Sequence, residues 1–363
     1  MKNTFGNALK VTLFGESHGD SIGAVIDGLT PGIKIDYDFI DRQLERRKSK
    51  SSICTKRAEK DEYEIISGVF EGHTTGTPIC IVIKNRDTRS SDYQVFSSVA
   101  RPGHADYTAN CKYHGYQDFR GGGHFSGRVT VALVAAGAII QSALEQKGIF
   151  IGTHIKRLAC VDDRAFENYI DDIISLHSAE FSVLDENAKN RMFENACRVK
   201  SENDSVGGIM ETAIVGMPAG VGEPWFDSIE GMLSHAMFSI PAVKGVEFGV
   251  GFACADMKGS QINDEFFIGD DGSILTKTNN NGGINGGLSN GMPIVFSCAV
   301  KPTSSIARKQ KTVNFVEKTE AEIEIRGRHD STIVPRACVI AEALSAIVVA
   351  DLLLGRFGTD YLK

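Results

Sequence analysis

The segment from Val129 to Lys147 is apolar on nearly every face of the helix it predicts, and so is the segment from Arg336 to Leu354. A helix that is hydrophobic all round cannot lie on a surface and must be covered by other layers. Two such helices in one chain of 363 residues therefore demand enough sheet to bury both. The strand patterns supply it. In Ala8–Gly15, Leu9, Val11 and Leu13 alternate with Lys10 and Thr12, and the segment pairs with Ile22–Gly28. A helix over Asp36–Lys48 follows, then strands over Tyr63–Phe70 and Pro78–Lys84. Arg46, Arg47 and Lys48 crowd the end of that helix, where they suit its dipole.

The same order recurs later. Asp204-Ser205-Val206-Gly207 opens a strand stretch ending in GMPAG, much as Asp20-Ser21-Ile22-Gly23 opens one ending in GLTPG. A helix over Trp225–Ile240, strands over Gly245–Asp256 and Pro293–Val300 and the second buried helix complete that half. The expected fold class is α+β: a β-α-β sandwich of two pseudo-equivalent halves, with long buried helices between two antiparallel sheets. One domain spans residues 1–363, with pseudo-repeats over about 1–150 and 204–356 and a polar surface insertion over about 160–203. Lys258–Gly291, rich in glycine and asparagine, predicts a long irregular loop of the kind that serves as a lid.

The net charge of −7 argues against a nucleic-acid or membrane-surface partner. No apolar run reaches the roughly 20 residues of a membrane span, and the N-terminus has no signal-peptide pattern. Eight scattered cysteines without a C-x-x-C pair read as free, mostly buried thiols in a reducing cytoplasm.

Arg101–Ile140 concentrates the chemistry. His104 lies in RPGHADY, and the triple glycine Gly121–Gly123 stands between Arg120 and Arg128, directly ahead of the first buried helix. A glycine loop and a helix start offer backbone donors to an anion, so the segment predicts a phosphate or carboxylate site. His18 in GESHG and His329 in GRHD also sit beside glycine and charge. His73, His154, His177 and His235 read as structural. A metal held by His18, His104, His329 and Asp330 is disfavoured, because no H-x-x-H spacing occurs and arginines beside each histidine repel a cation. No G-x-x-x-x-G-K-[ST] occurs, and Ser126 stands where a dinucleotide fingerprint needs its third glycine.

GESHGDSIGAVIDGLTPG, RPGHADY, RGGGHFSGR, KPTSSI and GRHDSTIVPRA, in this order, resemble chorismate synthase over nearly the whole chain. That resemblance implies an anti 1,4-elimination of phosphate from 5-enolpyruvylshikimate 3-phosphate, the last common step of aromatic amino-acid synthesis. It implies reduced FMN as cofactor, with NADPH a possible reductant, and a cytoplasmic homotetramer. By the same resemblance His18, His104 and Asp330 are catalytic: His18 protonates the leaving phosphate, His104 controls flavin protonation and Asp330 receives the ring proton. Ser17, Arg47, Arg101, Arg128 and Arg336 bind substrate. His124, Phe125, Ser126, Pro241, Ala242, Gly286, Lys301, Pro302, Thr303, Ser304, Ser305 and Arg328 contact the flavin.

The chain departs from its relatives at three places. Ile53 stands where relatives carry an arginine, with Lys48, Lys50 or Lys56 as candidate replacements. His124-Phe125 replaces Arg-Ser, and Ser331-Thr332 replaces Pro-Cys. A flavin reductase would need a pyridine-nucleotide site and no tri-anion pocket. A non-catalytic binding module would have dispensed with His18, His104 or Asp330, and all three are present.

Overall fold

The computed structural model describes residues 2–48, 61–86, 90–325 and 330–363. Its helices are α1 (Tyr37–Lys48), α2 (Asp106–Tyr113), α3 (Thr130–Gln146), α4 (Tyr169–Ser178), α5 (Glu186–Ser201), α6 (Ile229–Met237), α7 (Gly259–Ile262) and α8 (Val334–Phe357). Two five-stranded antiparallel sheets enclose α3 and α8. The first runs in the order Thr4–Phe5, Lys10–Gly15, Ser21–Asp27, Ile79–Lys84, Tyr63–Ser67. The second runs Val243–Phe248, Ile294–Val300, Gly208–Val215, Phe150–Leu158, Val161–Asp162. Helix α3 packs on the first sheet and α8 on the second, and the two helices pack on each other.

This is the expected α+β sandwich. Every residue of α3 from Thr130 to Leu144 is buried, as the all-round apolar pattern requires. The stretches Gly127–Gln146 and Val334–Phe357 are long and apolar enough to cross a membrane, yet 94% of each apolar window is buried inside the fold. They form the protein's own core. At their crossing, a Cβ on Gly137 would lie 2.5 Å from the Cα of Ala343, so the helices approach as closely as a missing side chain allows.

Several expectations need correction. Helix α6 begins at Ile229 rather than Trp225, because the Ser228 hydroxyl accepts from Gly231 N–H at 3.0 Å and caps it there. Trp225 and Phe226 are 80% and 96% exposed. The strand expected over Gly245–Asp256 ends at Phe248, where its ladder to Phe296 stops, and a 3-10 turn over Gly251–Asp256 follows.

The 258–291 segment is not irregular. It holds α7 and the hairpins Phe266–Ile268/Ile274–Thr276 and Ile284–Asn285/Leu288–Ser289. Asp264 organises its asparagines, accepting from Asn280 N–H at 2.7 Å, Asn281 N–H at 2.9 Å and the Thr278 hydroxyl at 2.7 Å. Of the seven described cysteines only Cys298 and Cys338 are buried, while Cys111, Cys160 and Cys254 are exposed. Cys54, Ile53, Lys50, Lys56, Arg328 and His329 lie outside the described residues.

Candidate active site

The triple glycine shapes the site. Gly121, Gly122 and Gly123 have φ of +58°, +83° and +54°, a left-handed run that L side chains rarely adopt. The loop is tied to the first hairpin, with Ser17 N–H donating to the Gly123 carbonyl at 3.2 Å. A Cβ on Gly121 would overlap the His18 ring. One on Gly122 would meet His104 Cε1 at 3.4 Å. The two histidines thus flank the loop, His18 against Gly121 and His104 against Gly122.

Beside it opens a cavity of about 980 Å³, at the upper end of the usual range for ligand pockets. Its apolar lining includes Leu13, Leu133 of α3 and Ile340, Leu344 and Ile347 of α8. Among the described residues, its lining carries five cations, Lys2, Arg47, Lys244, Lys301 and Arg336, against one carboxylate, Asp330. A chain of net charge −7 has therefore gathered positive charge around one cavity.

Most expected contacts converge there. His104, Asp330, Arg47 and Arg336 line the cavity, as do His124, Phe125 and Ser126. Pro241 and Ala242 contribute from the turn after α6, and Lys301, Pro302, Thr303, Ser304 and Ser305 from the chain after the Ile294–Val300 strand. Lys301 Nζ donates to the Gly103 carbonyl at 2.7 Å, joining that segment to the RPGHADY turn. Ser17, His18, Arg101 and Arg128 are not among the lining residues. The Ser17 hydroxyl lies 3.1 Å from His18 Nδ1 and donates to the Arg120 carbonyl at 3.1 Å. Gly286 lies elsewhere, in the turn between Ile284–Asn285 and Leu288–Ser289. His235, read as structural, lines the cavity edge-on to Phe5.

The four expected substrate arginines are each matched to an aspartate. Arg47 and Arg128 share Asp61, at 3.8 Å from Arg47 and in a short ion pair with Arg128. Arg336 Nη1 lies 3.1 Å from Asp330 and Arg101 Nη2 lies 2.6 Å from Asp106. Such pairs hold each guanidinium in one orientation. Arg128 sits in the 3-10 turn ahead of α3, where its N–H donates to the Ser126 hydroxyl at 3.3 Å. Arg120 takes no place on the wall, because Asp118 turns it aside at 2.8 Å.

The dipole explanation for Arg46 and Arg47 fails, since both are buried. Arg46 pairs with Glu342 of α8 at 2.6 Å, and Arg47 donates to the Gly127 carbonyl at 2.8 Å. Lys48 alone fits it, bonded to Glu45 at 3.0 Å. Sequence reasoning also missed Asp61, Asp106 and Asn85, whose Oδ1 accepts from Arg128 Nε–H at 3.2 Å. Asp106 lies inside a motif already singled out; nothing local marks Asp61.

The sequence profile described as chorismate synthase matches residues 9–354. A chorismate synthase of Pyrococcus abyssi is 48% identical over 351 residues, 97% of either chain. One of Archaeoglobus fulgidus is 47% identical over 361 residues, again 97% of each. A solved structure described as the crystal structure of chorismate synthase is similar at a TM-score of 0.77 and 29% identity, covering 98% of this chain and 95% of that one.

Proposed function

The chain belongs to the chorismate synthase family, and from that premise we propose that the cavity between the glycine loop, α3 and α8 is where the reaction occurs. The family's reaction is the removal of phosphate and a ring proton from 5-enolpyruvylshikimate 3-phosphate to give chorismate; the enzyme is a carbon–oxygen lyase. The observation that carries the assignment to this cavity is that its described lining residues include five cations against one carboxylate. The substrate bears two carboxylates and a phosphate, and guanidinium forks suit both groups.

Reduced FMN fits the remainder of the space. Lys301 and the hydroxyls of Thr303, Ser304 and Ser305 would hold its phosphate and ribityl chain, and Leu13, Leu133 and Ile340 would face its apolar ring. When bound, it supplies electron density to the reacting allylic system. The chain's own residues supply the rest. Arg47 and Arg336 in the lining, with Arg101 and Arg128 outside it, orient and neutralise the anionic groups. His18 and His104 hold protons beside the glycine loop, where a proton on the departing phosphate oxygen weakens the C–O bond. Asp330 offers a carboxylate to take up a proton at the wall. Gly286 and Arg328 stay in the proposed flavin set by family likeness alone.

The same relationship supports a cytoplasmic homotetramer without nucleic-acid or membrane partners. We take the flavin to be reduced by an outside source, with NADPH a possible reductant. FMN titration followed by flavin fluorescence tests the site. Affinity is expected to rise sharply with substrate present; folded protein that binds no flavin in either redox state would remove the cofactor from this reading.

A further inference from the structure

Asp106 has no role in the reaction as outlined, yet its carboxylate touches two residues that do. Oδ2 accepts from the Arg101 backbone N–H at 2.9 Å and from Arg101 Nε–H at 2.8 Å. Oδ1 accepts from Arg101 Nη2–H at 2.6 Å and lies 2.9 Å from His104 Nδ1. The Asp106 side chain is only 4% exposed.

We propose that Asp106 is a positioning residue that fixes His104 as its Nδ1–H tautomer, so that Nε2 is the nitrogen offered to the cavity. The inference rests on the reading that His104 handles a proton there. A carboxylate oxygen has only lone pairs to present, so a ring nitrogen 2.9 Å away must bring the hydrogen. Arg101 Nη2 also lies 3.0 Å from Nδ1; one of its two N–H groups is directed at Oδ1 at 2.6 Å, and the other competes for a bare Nδ1 against the negative charge of Oδ1 at 2.9 Å. An unprotonated Nδ1 would set its lone pair against a buried carboxylate. Burial by itself raises the Asp106 pKa, but hydrogen bonds from Arg101 and His104 outweigh it and hold the carboxyl well below its ordinary range. The acceptor is thus ionised at neutral pH.

The opposite edge of the ring faces the chemistry. Cε1 and Nε2 lie 3.4 and 3.6 Å from the position a Gly122 Cβ would take, on the glycine loop. Arg101 is held in turn, its guanidinium 4.3 Å from the centre of the Phe96 ring. An aspartate behind a histidine, setting its tautomer, is the arrangement by which serine proteases orient their base.

Imidazole 15N spectra of the labelled protein above pH 8 test this without turnover. His104 is expected to show a protonated Nδ1 and a bare Nε2, and Asp106→Asn to shift it toward the Nε2–H form. An Nε2–H tautomer in the wild type overturns the proposal, even where Asp106→Asn does not fold. Asp106→Asn is also expected to lower kcat roughly 10²-fold or more, within what an acid–base group contributes, with KM little changed. In a His104→Ala background it is expected to cost nothing further; an equal loss there would assign Asp106 to Arg101 alone. Full activity in His104→Ala would instead remove the functional reading, leaving the tautomer to be judged by its spectrum.

Discussion

The imidazole of His18 occupies the space that a side chain on Gly121 would need. A Cβ there would overlap the ring and stand 2.7 Å from the Ser17 hydroxyl. Gly121→Ala is therefore expected to displace His18, and the φ of +58° adds strain. Its kcat/KM is expected to fall toward that of His18→Ala, on the order of 10²–10⁴-fold down. Both variants need comparison by steady-state kinetics alongside thermal melts. An alanine variant that melts normally and turns over at the wild-type rate would free His18 of any proton role.

Gly137 makes a different demand, on packing alone. Its absent Cβ would lie 2.5 Å from the Ala343 Cα and 2.8 Å from the Ala343 carbonyl oxygen, backbone atoms of α8 that cannot swing aside. Alanine improves helix propensity by about 1 kcal/mol. Forcing apart two core helices costs about 1–3 kcal/mol or more. Gly137→Ala is expected to lower the urea midpoint, whereas a raised midpoint would show a looser crossing than described.

Arg46 and Glu342 form an ion pair with side chains 6% and 1% exposed, and Glu342 also accepts from Thr153 N–H at 3.0 Å. The pair fastens α1 to α8 and to the Phe150–Leu158 strand. Removing one partner of a buried pair strands the other charge, at about 3–5 kcal/mol. Glu342→Leu is expected to destabilise by that order in chemical denaturation. Arg46→Met with Glu342→Leu is expected to regain much of the loss, because no charge is then left unpaired; simple additivity of the two single losses would contradict this.

Glu145, near the end of α3, carries a pKa pushed up to about 7 by burial first and by the charge of Glu342 second. His177 Nδ1 lies 3.6 Å away, but burial lowers the His177 pKa and leaves it a weak counter-ion. A carboxyl that binds its proton more tightly when folded loses stability as pH rises. Here the loss runs from the unfolded value near 4.5 to about 7 and persists above it. The full span is about 1–3 kcal/mol after allowing for partial solvent access. Glu145→Gln is expected to match wild type near pH 4 and exceed it at pH 8 in urea midpoint. Parallel pH profiles for the two proteins would contradict it.

What could be read from the chain and what could not divide along a physical line. Val129–Lys147 announced its own burial, because periodicity is local and an all-apolar helix has one solution. The glycine loop and RPGHADY likewise marked the site through neighbouring residues. Arg46 and Arg47 looked like any basic helix end, since Glu342 is 296 positions away and only folding brings it near. Asp61 was invisible for the same reason: its meaning comes from Arg47 and Arg128. The Asn-rich segment looks irregular in sequence because its order comes from a single aspartate, Asp264, that gathers its backbone donors.

Anaerobic assay of the purified protein with 5-enolpyruvylshikimate 3-phosphate is the most direct test that this cavity performs the family's elimination with reduced flavin. Three arms are needed: dithionite-reduced FMN, oxidised FMN, and oxidised FMN with NADPH. Phosphate and chorismate are expected in equal amounts with reduced FMN alone. Neither is expected with oxidised FMN, and the NADPH arm stays silent unless a reductase is added. Arg336→Lys, which keeps the charge but loses the planar fork, is expected to fall well below wild type, while Arg191→Lys on the exposed face of α5 matches it. Equal product with and without reduced flavin, or identical rates for the Arg336 and Arg191 variants, would contradict the account.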